Sequence, residues 1–482
     1  MLLRIKTSYY IALTGVLFCL LNAACRKDQT MTTGGIIGFS VDTLTFDTVF
    51  TQQASFTNSF KIYNPQDEKI ILNNVHMLSG ASSYFRLNVD GFSGTNVSNI
   101  TIQPHDSVYV FATVNIDPTN VNTPFVVEDD MSANLNGKNF TLHFMAYGQN
   151  AYYIVDSTLT TQTWKTDKPY VVIHSAEVAS GETLTIPAGC KVYMHQDSWL
   201  FVLGTLKVNG TKTDTVVFQG DRLDRFYYDY IGYPGEWGGI YFSPMSKGSA
   251  LSYTRLLNCG NSAGISFPTG IYVAFDSVKS TTAPQLSIDH TIIQNSNGYG
   301  ILSLGGTIKA SNCLVNSCNS WCMALAQGGN YTIDNCTFAT YGSDIVGHTE
   351  NGTIALLNYF DTSQTGYLKG DMNAVLTNCI VWGSLDTEIF CNSRIDAGIY
   401  NVTLNNCLIK GGLAPLQAQK VNVNNCIFAQ DPKFLANDKF NFRLDIGSPA
   451  IDKGLNNGLI NDLDGNPRPV GSGYDIGCYE KQ

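Results

Sequence analysis

Charge is scarce in this 482-residue chain: Asp, Glu, Lys and Arg together make up 14% of it. Basic residues are the scarcer sign, 29 against 39 acidic, for a formal net charge of −10. Contact with nucleic-acid phosphates rests on clustered Lys and Arg, and no basic stripe or alternating basic and aromatic run occurs, so nucleic acid is not an expected partner. Low charge with 44% hydrophobic residues also argues against a disordered chain. No CxxC pair occurs, which leaves no thiol metal motif. No cysteine lies between residues 36 and 150, which excludes a disulfide-pinned immunoglobulin core there. Helical periodicity is missing from the most repetitive part of the chain.

What that part has instead is one short phrase that keeps returning. It reads IKASNCLV at 308–315, YTIDNCTF at 331–338, AVLTNCIV at 374–381, VTLNNCLI at 402–409 and VNVNNCIF at 421–428. A weaker copy, LSIDHTII at 286–293, has Thr291 at the Cys position. From Thr291 onward the steps are 22, 23, 43, 28 and 19 residues, and the 43 reads as two short steps. A period near 22 with short strand-like runs points to a solenoid of strands. Within each copy the apolar parity switches once, at the Asn. Side chains on a strand alternate faces, so a parity switch needs a bend between two strands. Asn tolerates the backbone angles of such a bend. A second ladder is Gly-Ile, at Ile240, Ile265 and Ile301, and Leu184 to Leu206 and Ile186 to Val208 are both steps of 22. The fold class expected is all-β: a parallel β-helix over 151–430, preceded by a sandwich. About 260 residues at roughly 23 per coil allow about 11 coils, stacked over ~50 Å.

Of 13 cysteines, Cys313, Cys336, Cys379, Cys407 and Cys426 share one repeat position and are expected to be stacked, inward and free. Parallel Cβ vectors disfavour bridging between coils. Cys318 and Cys322, expected in a loop, are the leading disulfide pair.

Residues 36–150 carry short alternating runs at intervals of about ten residues, among them 44–50, 59–65, 69–75, 84–89, 107–116 and 140–148. They read as a β-sandwich, and FKIYNP, IQPHDSVYVFATV and AYGQ resemble Ig-like domains of exported bacterial proteins. Its role is either a partner surface or a spacer. Residues 1–25 read as an export signal, with Arg4 and Lys6 before an apolar run from Tyr9 to Leu21. Asn22-Ala23-Ala24-Cys25 resembles a bacterial lipobox, which implies lipid attachment at Cys25; an ordinary cleaved signal is the alternative. Residues 26–35 are then a tether, and the anchor is lipid only.

The region 151–430, with GDR and PGEWGGI at 220–240, resembles right-handed parallel β-helix proteins of the pectate-lyase-like kind. DPKFLANDKFNFRLDIGSPAIDKG and NDLDGNPRPVGSGYDIGCYE resemble the C-terminal segment of bacterial surface β-helices of the choice-of-anchor Q type. Cys478 stands where that segment has Ala. The expectation for 431–482 is a cap over the last coil. Triplets such as DTL at 42–44 and DTV at 47–49 resemble the glycan-acceptor pattern of Bacteroidetes-type exported proteins. These resemblances imply a monomeric surface or outer-membrane lipoprotein.

Lyases on this fold need clustered carboxylates for calcium and a basic residue, and glycosidases need paired carboxylates. The NTD–DD–HG–RIK series of polygalacturonases is missing. Asp361, Lys369, Asp371, Asp386, Glu388, Arg394 and Asp396 are the scattered candidates, read as solvated loop residues, so catalytic residues are not assigned. The insertion at 221–237 is aromatic, with Tyr227, Tyr228, Tyr230, Tyr233 and Trp237, and could stack on sugar rings or pack on the solenoid flank. The expected function is a non-catalytic binding or structural surface directed at polysaccharide, without a metal or other cofactor. The alternative is a polysaccharide lyase or glycoside hydrolase, with calcium only in the lyase case.

Overall fold

The computed structural model describes residues 29–224, 232–261, 266–277, 284–362 and 366–482. Cys25, Tyr227, Tyr228, Tyr230 and Ile265 lie outside the described residues. The chain divides into two compact units, one closing at Asn150 and the other opening at Ala151.

The first unit is a sandwich of two five-stranded sheets. One runs in the order Gly38–Phe39, Asn58–Tyr63, Ser107–Val114, Phe85–Val89, Phe92–Gly94, with every pair antiparallel. The other runs Thr43–Phe50, Lys138–Gln149, Phe125–Leu135, Ile70–Met77, Asn96–Ile102. Period-2 alternation decides what each strand buries. In Ser107–Val114, the residues Val108, Val110, Ala112 and Val114 point inward, while Tyr109 and Phe111 stay exposed. At the centre Phe144 meets Phe60 and Phe85 with ring centroids 5.9 and 5.4 Å apart, the edge-on geometry that aromatic pairs favour.

The second unit is a parallel β-helix whose coils turn through three strands each. Face A is a ten-stranded sheet from Gln162–Thr163 to Asn422–Asn424. Faces B and C are successive parts of one 18-stranded ladder. Face B includes Ile292–Ser296, Leu314–Cys318, Thr337–Thr340, Ile380–Gly383 and Leu408–Ile409. Face C comprises Trp199–Val202, Ile240–Phe242, Thr269–Val273, Tyr299–Leu304, Met323–Ala326, Ile354–Leu357 and Ile389–Asn392. Like residues sit above like: inside face A, Ile186 pairs with Val208, Val208 with Leu251, Leu251 with Ile288, and Ile333 with Leu376.

The recurring Asn-Cys phrase is the corner between faces A and B. Asn312, Asn335, Asn378, Asn406 and Asn425 all adopt φ between 49° and 54°, as His290 does at 45° in the weaker copy. One left-handed residue between two extended strands turns the chain and switches parity, and Asn is the side-chain-bearing residue that pays least for it. The next residue supplies a donor: Cys313, Cys336, Cys379, Cys407 and Cys426 each direct Sγ to the carbonyl two residues back, at 3.1–3.5 Å. Thr254 and Thr291 do the same with Oγ1 at 3.1 and 3.0 Å. The position therefore selects a small apolar body with one donor, which is why Thr and Cys interchange there.

Three expectations are corrected. Asn335 and Asn378 lie on adjacent coils, because Thr337 pairs directly with Ile380; the step of 43 is one coil enlarged by loops, including the hairpin Tyr359–Asp361 with Tyr367–Lys369. The rung between Ile240 and Ile301 is Ile271, not Ile265. Cys318 is not in a loop but ends a face-B strand, and both it and Cys322 are free and buried in the core, as burial of two thiols among apolar side chains allows.

The fourth correction concerns residues 431–482, which clad the side of the solenoid instead of closing its end. Phe442, Leu463, Cys478 and Tyr479 pack on Leu314 and Ala339. Leu444, Ala450 and Ile476 pack on Ile380, Trp382 and Leu408. The cause is the outward row of face B, which is apolar and needs cover. The strap also clasps the corner asparagines: Asn378 donates to the Leu455 carbonyl at 2.7 Å and accepts from the Leu455 amide at 2.7 Å. Asn406 donates to the Lys453 carbonyl at 2.9 Å. Gly477 has φ 101°, and a Cβ there would come within 2.7 Å of Ile380. A polar knot shapes the strap from within, with fully buried Arg468 and Glu480 joined at 2.8 Å. Glu480 accepts further from the amides of Val470 and Asp475, and its own amide donates to Asp462.

Candidate aromatic binding face

On face C each inward rung is followed by an outward residue, and those outward residues form a second ladder. Phe201 pairs with Tyr241, Tyr241 with Tyr272, Tyr272 with Leu302, Leu302 with Ala324, Ala324 with Ala355, and Ala355 with Phe390. Rungs repeat every ~4.8 Å, comparable to the length of a pyranose ring. The rings interlock edge to face: Phe201 to Tyr241 at 5.9 Å and Tyr241 to Tyr272 at 5.3 Å. Between Tyr272 and Phe390 the ladder narrows to Leu302, Ala324 and Ala355, which are buried, and Phe267, Trp321 and Phe360 pack over them. Phe267 stands 5.5 Å from Phe360, and Trp321 stands 6.2 Å from Phe390. Phe201, Tyr241, Tyr272, Trp321 and Phe360 are half-buried, and Phe390 is 45% exposed. Each ring is thus fixed by neighbours while keeping part of its surface open.

The ladder from Phe201 to Phe390 contains no charged side chain. Burial pushes the Tyr272 phenol up to about 12 and raises that of Tyr241, so both stay protonated and can donate hydrogen bonds. The site offers apolar ring faces with hydroxyls at their edges, a chemistry suited to sugar rings.

The charged candidates behave differently. Lys369, Arg394 and Asp396 come together: Arg394 Nε lies 3.1 Å from Asp396, Lys369 donates to the same carboxylate, and the Arg394 guanidinium sits 4.0 Å over the Tyr367 ring. Hydrogen bonds from Lys369 and Arg394 hold the exposed Asp396 carboxyl below its usual range, so it is an engaged anion. Asp371 accepts the Ile399 amide at 2.8 Å, while Asp361 and Asp386 are exposed. Glu388 is not a solvated loop residue: it is fully buried, accepting from Thr353 Oγ1 at 2.6 Å and the Leu385 amide at 2.8 Å, with His348 Nε2 at 3.1 Å. It ties the enlarged loop to the coil.

Of the aromatic insertion, Tyr233 is 42% exposed. Trp237 is corrected as a glycan contact: its ring is fully buried against Phe218 at 6.4 Å, and Nε1 donates to the Leu257 carbonyl at 2.8 Å. No surface remains on it for a ligand. Among the described residues no group of three or more His, Cys, Asp or Glu is arranged to hold a metal ion. Sequence reasoning passed over the outward ladder, although its signal was present as the residue after each rung, in Ile240-Tyr241, Ile271-Tyr272 and Ile389-Phe390.

No family model matches the chain, and no curated protein matches it. Solved structures give only distant likenesses. One is a family 123 glycoside hydrolase from Clostridium perfringens, at 6% identity and TM-score 0.18, covering 25% of this chain and 31% of that one. Another is the ASH/PapD-like domain 7 of human CEP192, at 14% identity and TM-score 0.17, covering 26% of this chain and 92% of that one. The chain thus spans under a third of the hydrolase, and at these scores neither likeness bears on function.

Proposed function

We propose that this protein is an exported, lipid-anchored β-helix that binds polysaccharide without cleaving it. The observation that carries the reading is the run of adjacent outward rings Phe201, Tyr241 and Tyr272 on face C. An uncharged row of fixed, half-open rings is suited to a neutral glycan lying along the solenoid axis. Face A supports a display role for the scaffold, because its outward positions in the last coils are largely amides and hydroxyls, some of which bond along the stack. Asn373 donates to Asn330 at 3.3 Å and Asn424 to Asn405 at 2.9 Å. Cys25 is the proposed lipid attachment point and the bacterial outer membrane or cell surface the proposed address.

The test has two arms. Incubated with neutral and uronate-containing polysaccharides, the protein is expected to be retained by a neutral one and to release no product; product release would overturn the non-catalytic reading. Cys25→Ala is expected to move the protein out of the membrane fraction, and unchanged fractionation would overturn the anchor.

A further inference from the structure

The first unit carries a second aromatic surface that, unlike the uncharged ladder, has cations beside its rings. Tyr109 and Phe111 stand side by side on the outer face of the sheet Gly38–Phe39, Asn58–Tyr63, Ser107–Val114, Phe85–Val89, Phe92–Gly94. They are 50% and 43% exposed, and their rings are stacked, 5.9 Å apart and 15° from parallel. Two large exposed rings held nearly parallel on a sheet are unusual for a surface with no partner. Beside Phe111 runs a groove of about 620 Å³, walled by Thr57, Arg86, Asn88, Ser93 and Thr113. Registry explains the grouping: Phe111 lies opposite Ser59 on one side and Asn88 on the other, and Thr113 lies opposite Arg86.

The polar groups of the groove are pre-positioned. Asn88 donates to Ser93 Oγ at 3.0 Å and accepts the Gly91 amide at 3.0 Å. Arg86 donates through Nη1 to the Phe85 carbonyl at 2.9 Å and to that of Ser83, which pins the guanidinium at the groove wall. Lys61 lies 4.6 Å over the Tyr109 ring. The five strands contain Lys61 and Arg86 but no Asp or Glu, within a chain of net charge −10. Asp90, whose amide bonds the Tyr109 carbonyl at 3.2 Å, and Asp106, which accepts the Ser107 amide at 2.7 Å, adjoin the strands at the Tyr109 end, whereas Arg86 lies at the groove beside Phe111.

We propose that this face is a second carbohydrate site, which takes an anionic polysaccharide with its sugar rings on Tyr109 and Phe111 and its acid groups at Arg86 and Lys61. The rings supply stacking area, Asn88, Ser93 and Thr113 supply hydroxyl partners, and the two cations supply the preference for acidic sugars. The proposal goes beyond the solenoid reading and does not depend on it.

Affinity electrophoresis of the full protein in gels containing polygalacturonate, with a neutral galactan as the comparison, tests it. The wild type is expected to be retarded by polygalacturonate, less so as salt is raised. Phe111→Ala and Arg86→Gln are each expected to weaken that retardation about tenfold. Phe111→Trp, which keeps a ring, is expected to retain it. A Tyr272→Ala variant on the solenoid is expected to leave polygalacturonate retardation unchanged. The proposal is overturned if the wild type is not retarded by polygalacturonate, if Phe111→Ala and Arg86→Gln migrate as wild type, or if Tyr272→Ala abolishes retardation instead. The neutral-galactan arm reports on the solenoid separately.

Discussion

Removing the amide of Asn378 is the sharpest test of how the strap is held. Its side chain makes three hydrogen bonds: donation to Asn335 Oδ1 at 3.2 Å and to the Leu455 carbonyl at 2.7 Å, and acceptance from the Leu455 amide at 2.7 Å. At about 1 kcal/mol each, their loss in Asn378→Gly costs about 3 kcal/mol. Asn378→Ala adds about 1 kcal/mol, because φ is 54° there and alanine resists the left-handed region. The readout is hydrogen exchange at Gly477, whose amide bonds the main-chain carbonyl of Asn378 at 2.8 Å and so survives both substitutions. If the two side-chain bonds to Leu455 hold the strap, an opening about 2 kcal/mol easier makes Gly477 exchange about 30-fold faster in both variants, because the Asn335 bond and the φ strain lie within the solenoid. Wild-type exchange at Gly477 in both variants would refute the Asn378 clasp and leave the strap held by apolar packing and its other hydrogen bonds.

Two further predictions concern the solenoid. Cys379→Thr is expected to be more stable than the near-isosteric Cys379→Val by about 1 kcal/mol in urea unfolding, because only Thr keeps a donor for the Thr377 carbonyl; a more stable Val variant would show the position to be purely apolar. His195 Nδ1 lies 2.6 Å from Asp221, and that hydrogen bond, against partial burial, raises the imidazole above its ordinary 6.5. A raised folded value means the pair's stabilisation is fully present below 6.5 and is lost as pH rises through the folded value. The melting difference between wild type and His195→Gln is therefore expected to shrink from pH 6 towards alkaline pH, and a constant difference would contradict it.

Much of the scaffold was legible because a β-helix writes its period into the chain. The Asn-Cys phrase marked the corner, and the parity switch correctly put Cys336, Cys379 and Cys407 inside. Counting from spacing failed where a loop enlarged one coil, since 43 residues match two short coils as well as one long one. In the sandwich, Phe125–Leu135 was passed over because Glu128-Asp129-Asp130 interrupts its apolar pattern, although Asp130 is engaged with His143 at 2.8 Å. The strap's position was written in the repeat itself. Adjacent apolar residues at Leu314-Val315, Ile380-Val381 and Leu408-Ile409 mean that face B is buried on both sides, which an end cap would not explain. The candidate site was harder to see. Conspicuous aromatic density pointed to 221–237, whereas the ladder on face C has a ring on four of its seven rungs, far apart in sequence, and Phe201, Tyr241 and Tyr272 are adjacent only in register. Trp237 illustrates the difference: sequence shows a large ring, and only packing shows that none of it is free.

The measurement that bears most directly on the central claim is binding of the protein to neutral polysaccharides, compared with a Tyr241→Ala/Tyr272→Ala variant, with product release followed in the same samples. Removing two adjacent rings from the ladder is expected to weaken retention by about tenfold or more, while the thermal transition stays cooperative and no oligosaccharide appears with either protein. Equal retention of the two proteins, or release of oligosaccharide by the wild type, would contradict the account.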